Sequence, residues 1–214
     1  MSTATIDTIS TSTIAPAATS TIKSRPVYGT LVPDPTGRFH IVVGDGGGSA
    51  AILRLLADPA LPDGPCQVLF TPTPTSSASD LSTLAARANA EILPDIATLL
   101  ARLRTLLGDC RMGARLYAAG SESFVGMVMS SAAALGMLPD ERQGEHAGSA
   151  ARRVHCTHCR QINTDATTNL VDCAGCGRTL LVRDHYSQRL AAFMGVQADA
   201  EQPGAMPELR ETFP

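Results

Sequence analysis

Aromatic side chains and a net positive charge are what this sequence most clearly lacks. Its 214 residues contain no Trp, three Tyr and five Phe. So few rings are a poor basis for the stacking surfaces on which single-stranded nucleic acids lie. The formal net charge of −3 gives no overall attraction to nucleic acid or to an anionic membrane. No stretch approaches the ~18 consecutive apolar residues of a membrane-spanning helix, so we expect neither nucleic acid nor a membrane among the partners.

A secretory signal is also missing, because the N-terminus has no basic region followed by an apolar one. Of the six cysteines, four form two Cys-x-x-Cys pairs, while Cys66 and Cys110 stand alone. Without an export signal, such pairs indicate metal ligands before disulfides. The expected location is therefore the reducing cytoplasm, and the two isolated cysteines are expected to be ordinary buried thiols.

Both ends of the chain are poor in core-forming residues. Residues 1–25 consist mostly of Ser, Thr, Ala and Ile. This composition predicts a disordered tail, or alternatively an arm that orders on a partner. Residues 197–214 are predicted to be a second tail.

Between the tails, apolar runs of strand and helix character alternate. The predicted strands cover residues 38–44, 66–70 and 114–119, and the predicted helices cover 49–56, 80–107 with a break at Pro94, and 124–135. This alternation predicts an α/β domain over residues 26–140, with a parallel sheet and helices on both faces. The polar, glycine-containing residues 141–151 are predicted to be a linker.

The first predicted strand runs into a glycine cluster that precedes the first predicted helix. The order strand, glycine loop, helix is the one that cradles a pyrophosphate. The candidate cofactor-binding residues here are Gly44, Gly46, Gly47 and Gly48. The spacing departs from the strict dinucleotide pattern, and Asp45 within the loop would repel a phosphate, so a purely structural loop is the alternative.

The strongest motif lies in the last third of the chain. Cys156 and Cys159 form one pair, and after thirteen intervening residues Cys173 and Cys176 form the other. Two such pairs supply four thiolates to one tetrahedral metal centre. Zinc in such a shell would be structural, whereas a single iron would exchange one electron, and the ligand types suit both metals.

Two histidines flank the first pair, and the four cysteines are followed by an amphipathic pattern. His155 or His158 could replace a cysteine, although four thiolates already complete the shell. After the second pair, residues 179–182 are predicted to form a strand. Residues 184–194 then show apolar side chains at helical spacing, which predicts a helix capped by Asp184. The predicted metal module covers residues 152–196.

Residues 114–129 resemble the last strand and helix of the nicotinamide-binding domain of the ferredoxin–NADP reductase family. Gly120 aligns with the glycine of that family's Cys-Gly-Pro turn, whereas Ala119 and Ser121 stand where the family has Cys and Pro. The resemblance implies an α/β domain of reductase nucleotide-domain type, with Gly120 near a bound NADPH. The missing cysteine argues against hydride transfer in this chain.

Residues 153–196, and more loosely 27–140, resemble the small-subunit family of bacterial dimethylamine monooxygenase. That resemblance implies a rubredoxin- or zinc-ribbon-like module in an accessory, electron-transferring subunit. It also implies a complex that uses NADPH and dioxygen to convert dimethylamine to methylamine and formaldehyde. Haem, flavin and a [2Fe–2S] cluster would lie on partner subunits. The alternatives are a structural zinc-ribbon subunit without a redox role, and an NAD(P)H-binding component.

Overall fold

The computed structural model describes residues 24–74, 76–110 and 112–214. Nearly all of the predicted N-terminal tail, residues 1–25, lies outside this part of the chain. Within the described ranges, no helix has the length and hydrophobicity that crossing a membrane requires.

The first half of the described chain builds a five-stranded parallel sheet. The strands are β1 (Phe39–Asp45), β2 (Cys66–Thr71), β3 (Ala90–Ile92), β4 (Ala114–Gly120) and β5 (Arg142–His146). Their order across the sheet is β3-β2-β1-β4-β5, and every adjacent pair is parallel. The predicted α/β class with a parallel sheet is therefore confirmed.

Helices cover both faces of this sheet, as right-handed crossovers require. They are α1 (Ser49–Ala57), α2 (Ala78–Ala85), α3 (Ile96–Asp109) and α4 (Glu122–Ala134). Side chains alternate along each strand, so Val42 of β1 packs with the α1 and α2 side while Ile41 and Val43 pack with α3 and α4. Two apolar cores result, one on each face.

The helix starts explain where the chain changes direction. Ser77, Asp95 and Ser121 cap α2, α3 and α4, each accepting a hydrogen bond from a backbone amide in the first turn. The single interrupted helix predicted over residues 80–107 is thus two helices, with β3 between them. Pro94 lies in that connection, where its missing amide costs no helical hydrogen bond.

The linker predicted over residues 141–151 is wrong in its first part, because β5 occupies Arg142–His146. This strand pairs with β4 in register from Leu116 opposite Arg142 to Gly120 opposite His146. It is an edge strand, and its side chains are polar and half-buried. Edge strands do not need an apolar run, so the sequence pattern carried no strand signal.

The metal module is a second five-stranded sheet. Its strands are β6 (Arg152–Cys156), β7 (Ile162–Ala166), β8 (Leu170–Asp172), β9 (Thr179–Ser187) and β10 (Ala192–Gln197). Their order is β7-β6-β10-β9-β8. β10 lies parallel to β6 and the other neighbours are antiparallel.

The helix predicted over residues 184–194 is wrong, because this stretch is the end of β9, a turn and the start of β10. Tyr186 and Phe193 face each other across the hairpin with ring centroids 4.9 Å apart. Their spacing of seven residues imitates two helical turns. Pairing with β6 and β8 on either side outweighs the weak local helix preference.

The end of the chain, predicted as a tail over residues 197–214, packs back on the module. Phe213 is buried, and the Thr212 amide donates to the Thr167 carbonyl over 2.9 Å. The guanidinium carbon of Arg152 lies 3.8 Å from the ring centroids of both Phe193 and Phe213. A buried cation between two rings therefore joins the C-terminus to β6 and β10.

Candidate functional site

The structure brings the four paired cysteines together at one end of the second sheet. Their sulfurs all lie within 4.8 Å of one another. Cys156 Sγ is 3.8 Å from Cys176 Sγ, and Cys159 Sγ is 3.5 Å from Cys173 Sγ. A tetrahedron of ~2.3 Å metal–sulfur bonds has sulfurs about 3.8 Å apart. The geometry therefore fits one tetrahedral metal ion.

Each cysteine pair sits in a tight turn, and the two turns repeat the same backbone pattern. The Cys156 amide donates to the Gln161 carbonyl over 2.9 Å, and the Arg160 amide donates to the Cys156 carbonyl over 2.9 Å. In the second turn, the Cys173 amide donates to the Arg178 carbonyl over 2.9 Å, and the Gly177 amide donates to the Cys173 carbonyl over 2.8 Å. We call these turns the first and second knuckle.

The residue after the second cysteine of each knuckle has a left-handed backbone. Gly177 has φ of 70° with open space around the position of an added Cβ. Arg160 occupies the equivalent place with φ of 67°. A left-handed conformation costs a non-glycine residue roughly 1–2 kcal/mol, so the first knuckle is the more strained of the two.

Asn163 is a buried contact of the centre that sequence reasoning missed. Its side-chain oxygen accepts from the Ala174 amide over 2.8 Å, and its Nδ2 donates to the Val154 carbonyl over 3.3 Å. The same Nδ2 lies 3.8 Å from Cys173 Sγ. One amide thus ties the second knuckle to β6 and points a donor at a ligand sulfur. The one sequence feature that could have indicated this role is the position of Asn163 in a short polar strand between the two cysteine pairs.

Hydrogen bonding favours the thiolate form of two of the four cysteines, Cys173 and Cys176. The Gln161 amide lowers the pKa of Cys159, but burial and the contacts with the other three sulfurs outweigh it and raise that pKa to about 12. Burial would raise the pKa of the Cys173 thiol, but the amides of Gly175 and Cys176 outweigh it and lower that pKa to about 6. The Arg178 amide likewise lowers the pKa of Cys176. Thiolate is the form that binds metal, so the backbone of the second knuckle prepares two of the four ligands for a cation.

The sulfurs differ in exposure. Cys156 and Cys173, the first residue of each pair, are buried, whereas Cys159 is exposed and Cys176 is half-buried. The second cysteine of each knuckle is therefore the more exposed of the two.

Neither histidine joins the sulfur cluster. His158 Nδ1 lies 3.0 Å from Arg178 Nη1, and His155 is half-buried on β6. Among the described residues, the group that could hold a metal consists of the four cysteines alone. The isolated Cys66 and Cys110 are half-buried in the first domain, where burial raises the pKa of both thiols.

The glycines predicted to hold a cofactor face protein atoms. A Cβ added to Gly46 would lie 1.9 Å from Thr73 Oγ1, and one added to Gly47 would lie 2.4 Å from the Ala147 carbonyl oxygen. The remaining contacts are of the same kind: Gly44 meets Ile52, Gly48 meets the Ala119 carbonyl, and Gly120 meets the Asp45 carboxylate. Close packing within the chain explains each of these glycines.

Asp45 lies at this end of the sheet, beside the start of α4. Its carboxylate accepts from the Ser121 amide over 3.1 Å and from the Ser121 hydroxyl over 2.6 Å. Burial raises the pKa of Asp45, while the donors from Ser121 and from the Gly47 amide oppose that rise. Asp45 is buried at 3% exposure, so the carboxylate that the sequence analysis expects to repel a phosphate is engaged in a contact within the chain.

Two family models match the chain. One, for the N-terminal domain of the dimethylamine monooxygenase subunit DmmA-like proteins, matches residues 20–141. The other, for the C-terminal domain of the same proteins, matches residues 153–196.

Among characterised proteins, the chain is 41% identical over 110 residues to the "heme-dependent oxidative N-demethylase delta subunit" of Ectopseudomonas mendocina (strain ymp). The match covers 51% of this chain and 63% of that relative.

Among solved structures, the chain is similar to the ferredoxin reductase in carbazole 1,9a-dioxygenase at 17% identity and a TM-score of 0.42, covering 55% of this chain and 40% of that one. It is similar to the Amycolatopsis cytochrome P450 reductase GcoB at 19% identity and a TM-score of 0.41, covering 56% and 42% respectively.

Proposed function

Because the chain belongs to the dimethylamine monooxygenase subunit DmmA-like family, we propose that it is the accessory, electron-transferring subunit of a multisubunit oxidative N-demethylase. The relative from Ectopseudomonas mendocina is named as one subunit of such an enzyme. That name supports a role within a complex.

The observation that carries the proposal is the four-sulfur centre, in which the second cysteine of each knuckle is the more exposed one. A single iron bound by Cys156, Cys159, Cys173 and Cys176 would supply one-electron chemistry. The chain's own contribution is to hold the thiolates rigidly through the backbone bonds of the knuckles. It also presents Cys159 and Cys176 where a partner's redox group can approach.

The complete reaction that we propose for the complex consumes NADPH, a proton and dioxygen. One methyl group of dimethylamine is oxidised to formaldehyde, and methylamine is released. One oxygen atom of dioxygen enters the formaldehyde, and the other is reduced to water. Partner subunits would carry the haem, the flavin and the [2Fe–2S] cluster. A reducing cytoplasm, which keeps the four thiols available for metal, is part of this proposal.

A structural zinc centre is the second candidate, and the closed ligand shell favours it. Four thiolates leave no position for water or substrate, which is typical of structural zinc. In that case the module would stiffen a docking surface, and electrons would pass between the other subunits without entering this chain.

Metal analysis of this subunit, purified from its native host and then separated from its partner subunits, distinguishes the two candidates. Iron near one equivalent, with visible absorption that bleaches under dithionite and returns with oxidant, supports electron transfer. Zinc near one equivalent and no reducible absorption refutes it.

Replacement of a ligand adds a test of the site itself. Cys173→Ser should lose the metal and unfold the module locally, because metal binding and folding are coupled at such sites. Cys110→Ser, in the first domain, is the matched control and should retain metal. A Cys173→Ser protein with a full equivalent of metal would show that the ligand set is different.

A further inference from the structure

The crevice at the carboxyl end of the parallel sheet is where an α/β domain ordinarily binds its ligand. In this sheet the chain runs outward from β1 to β2 and β3, then returns to β4 on the other side of β1. The switch point therefore lies between β1 and β4. Ligands of open α/β sheets bind outside the strand ends at such a point.

An internal anion already occupies this crevice. The Asp45 carboxylate lies at the end of β1, next to the glycine loop, and accepts two hydrogen bonds from Ser121 at the start of α4. Backbone amides at helix starts are the donors that bind phosphate groups in nucleotide domains. Here a carboxylate of the chain itself takes some of them, and its charge opposes a phosphate nearby.

The connection between the two sheets lies across the same crevice. The Ala147 amide donates to the Gly120 carbonyl over 2.8 Å, and the Ser149 carbonyl accepts from the Glu122 amide over 3.1 Å. The Ser123 hydroxyl then donates to the Ala151 carbonyl over 2.8 Å. Hydrogen-bonding groups in the first turn of α4 are thus already occupied by residues 147–151 and are not free to bind a ligand.

The glycine loop and this connection meet backbone to backbone. A Cβ on Gly47 would lie 2.4 Å from the Ala147 carbonyl oxygen and 3.0 Å from Gly148 Cα. Gly148 has φ of 98°, a conformation that favours glycine. The absence of a side chain at position 47 is therefore explained by the close approach of residues 147–148. In a nucleotide-binding domain, the close approach of a pyrophosphate would explain it.

We propose that residues 147–151 and the Asp45 side chain are a built-in occupant of the dinucleotide crevice. The first domain then binds no NADPH or NADH, and its carboxyl edge serves to hold the metal module. The predicted cofactor-binding glycines belong to this internal contact. The inference does not depend on which metal the module holds, since none of its contacts involves the four cysteines.

Titration of the full-length, metal-loaded protein with NADPH, and separately with NADH, is the direct test. Calorimetry and the fluorescence of the reduced nucleotide should reveal no saturable binding tighter than about 1 mM. Saturable binding below that level, with protection of residues 44–48 from hydrogen exchange, overturns the proposal. So does binding that raises exchange in residues 147–151, since the connection would then be a displaceable lid.

A substitution at the contact tests the geometry independently. Gly47→Ala should push residues 147–151 away and speed their amide exchange by about tenfold or more, because the facing atoms are backbone and cannot rotate aside. Gly64→Ala is the matched control, since an added Cβ there meets nothing within 4 Å. Equal exchange in the two variants refutes the contact. If Gly47→Ala fails to fold, the nucleotide titration of the unaltered protein still decides the proposal.

These outcomes separate cleanly from those of the functional proposal. A finding of zinc in the native protein would refute the electron-transfer proposal and would not affect the proposal that the crevice is occupied. A finding of nucleotide binding would refute the proposal of a built-in occupant and would not affect the proposal for the metal centre. It would also favour an NAD(P)H-binding component as the function.

Discussion

Removal of the Asn163 side chain should weaken metal binding without removing a ligand. Asn163→Ala deletes the donor 3.8 Å from Cys173 Sγ and the 2.8 Å bond that fixes the Ala174 amide in the second knuckle. Residues that orient metal ligands are typically worth 10–100-fold in metal affinity. That range corresponds to about 1.4–2.8 kcal/mol.

The magnitude should lie in the upper half of this range. Asn163 is buried at 6% exposure, and its loss also leaves the buried Val154 carbonyl without its side-chain partner. A buried acceptor that loses a partner costs about 1–3 kcal/mol. We therefore expect roughly a 30–100-fold increase in the dissociation constant for zinc.

Competition with a chromophoric chelator measures this constant for the unaltered protein and the variant under the same buffer. Asn169→Ala is the matched control. Asn169 is the same residue type in the same module, but its side chain bonds Glu208 and Arg210 rather than the centre. An Asn163→Ala protein whose affinity stays within twofold of the control would refute the argument that this amide supports Cys173.

Three further predictions concern stability. Arg160→Gly should stabilise the metal-loaded protein by about 1 kcal/mol, and Gly177→Ala should destabilise it by a similar amount, since both act on a left-handed backbone. A lower unfolding temperature for Arg160→Gly, or a higher one for Gly177→Ala, would contradict this. Phe213→Ala should cost about 3 kcal/mol in urea unfolding, because a buried ring and a cation–π partner are lost, whereas Phe213→Leu should cost much less; equal losses would show that burial is not the cause. Hydrogen bonds from Thr36 and Arg115 lower the pKa of Asp34 from 3.8 to about 2. Its contribution to stability is present above pH 4 and is lost as the pH falls toward 2, so Asp34→Asn should flatten the stability profile in that window, and an unchanged profile would exclude this carboxylate.

The parts of the fold that the sequence predicted are those with a strong local pattern. Central strands β1, β2 and β4 are buried on both faces and therefore read as apolar runs. The cysteine set follows from spacing alone, since each pair must close one knuckle. These features depend on neighbours within a few residues.

The parts that the sequence did not predict depend on distant contacts. The edge strand β5 is polar, and only its pairing with β4 makes it a strand. The apolar residues of 184–194 have helical spacing. They nevertheless form strands, because β10 pairs with β6, which lies more than thirty residues earlier in the chain. Asn163 matters because folding places it beside Cys173, and the role of Gly47 becomes visible only once residues 147–148 lie over it.

The unequal exposure of the four sulfurs has a consequence for chemical damage. Cys159 is the exposed cysteine, so a small oxidant such as peroxide should reach it before the buried Cys156 and Cys173. Oxidation of an exposed thiolate to a sulfenic acid is reversible, and deeper oxidation is not. Peroxide damage should therefore begin at Cys159, and reduction of a sulfenic acid there would restore the ligand as long as oxidation has gone no further.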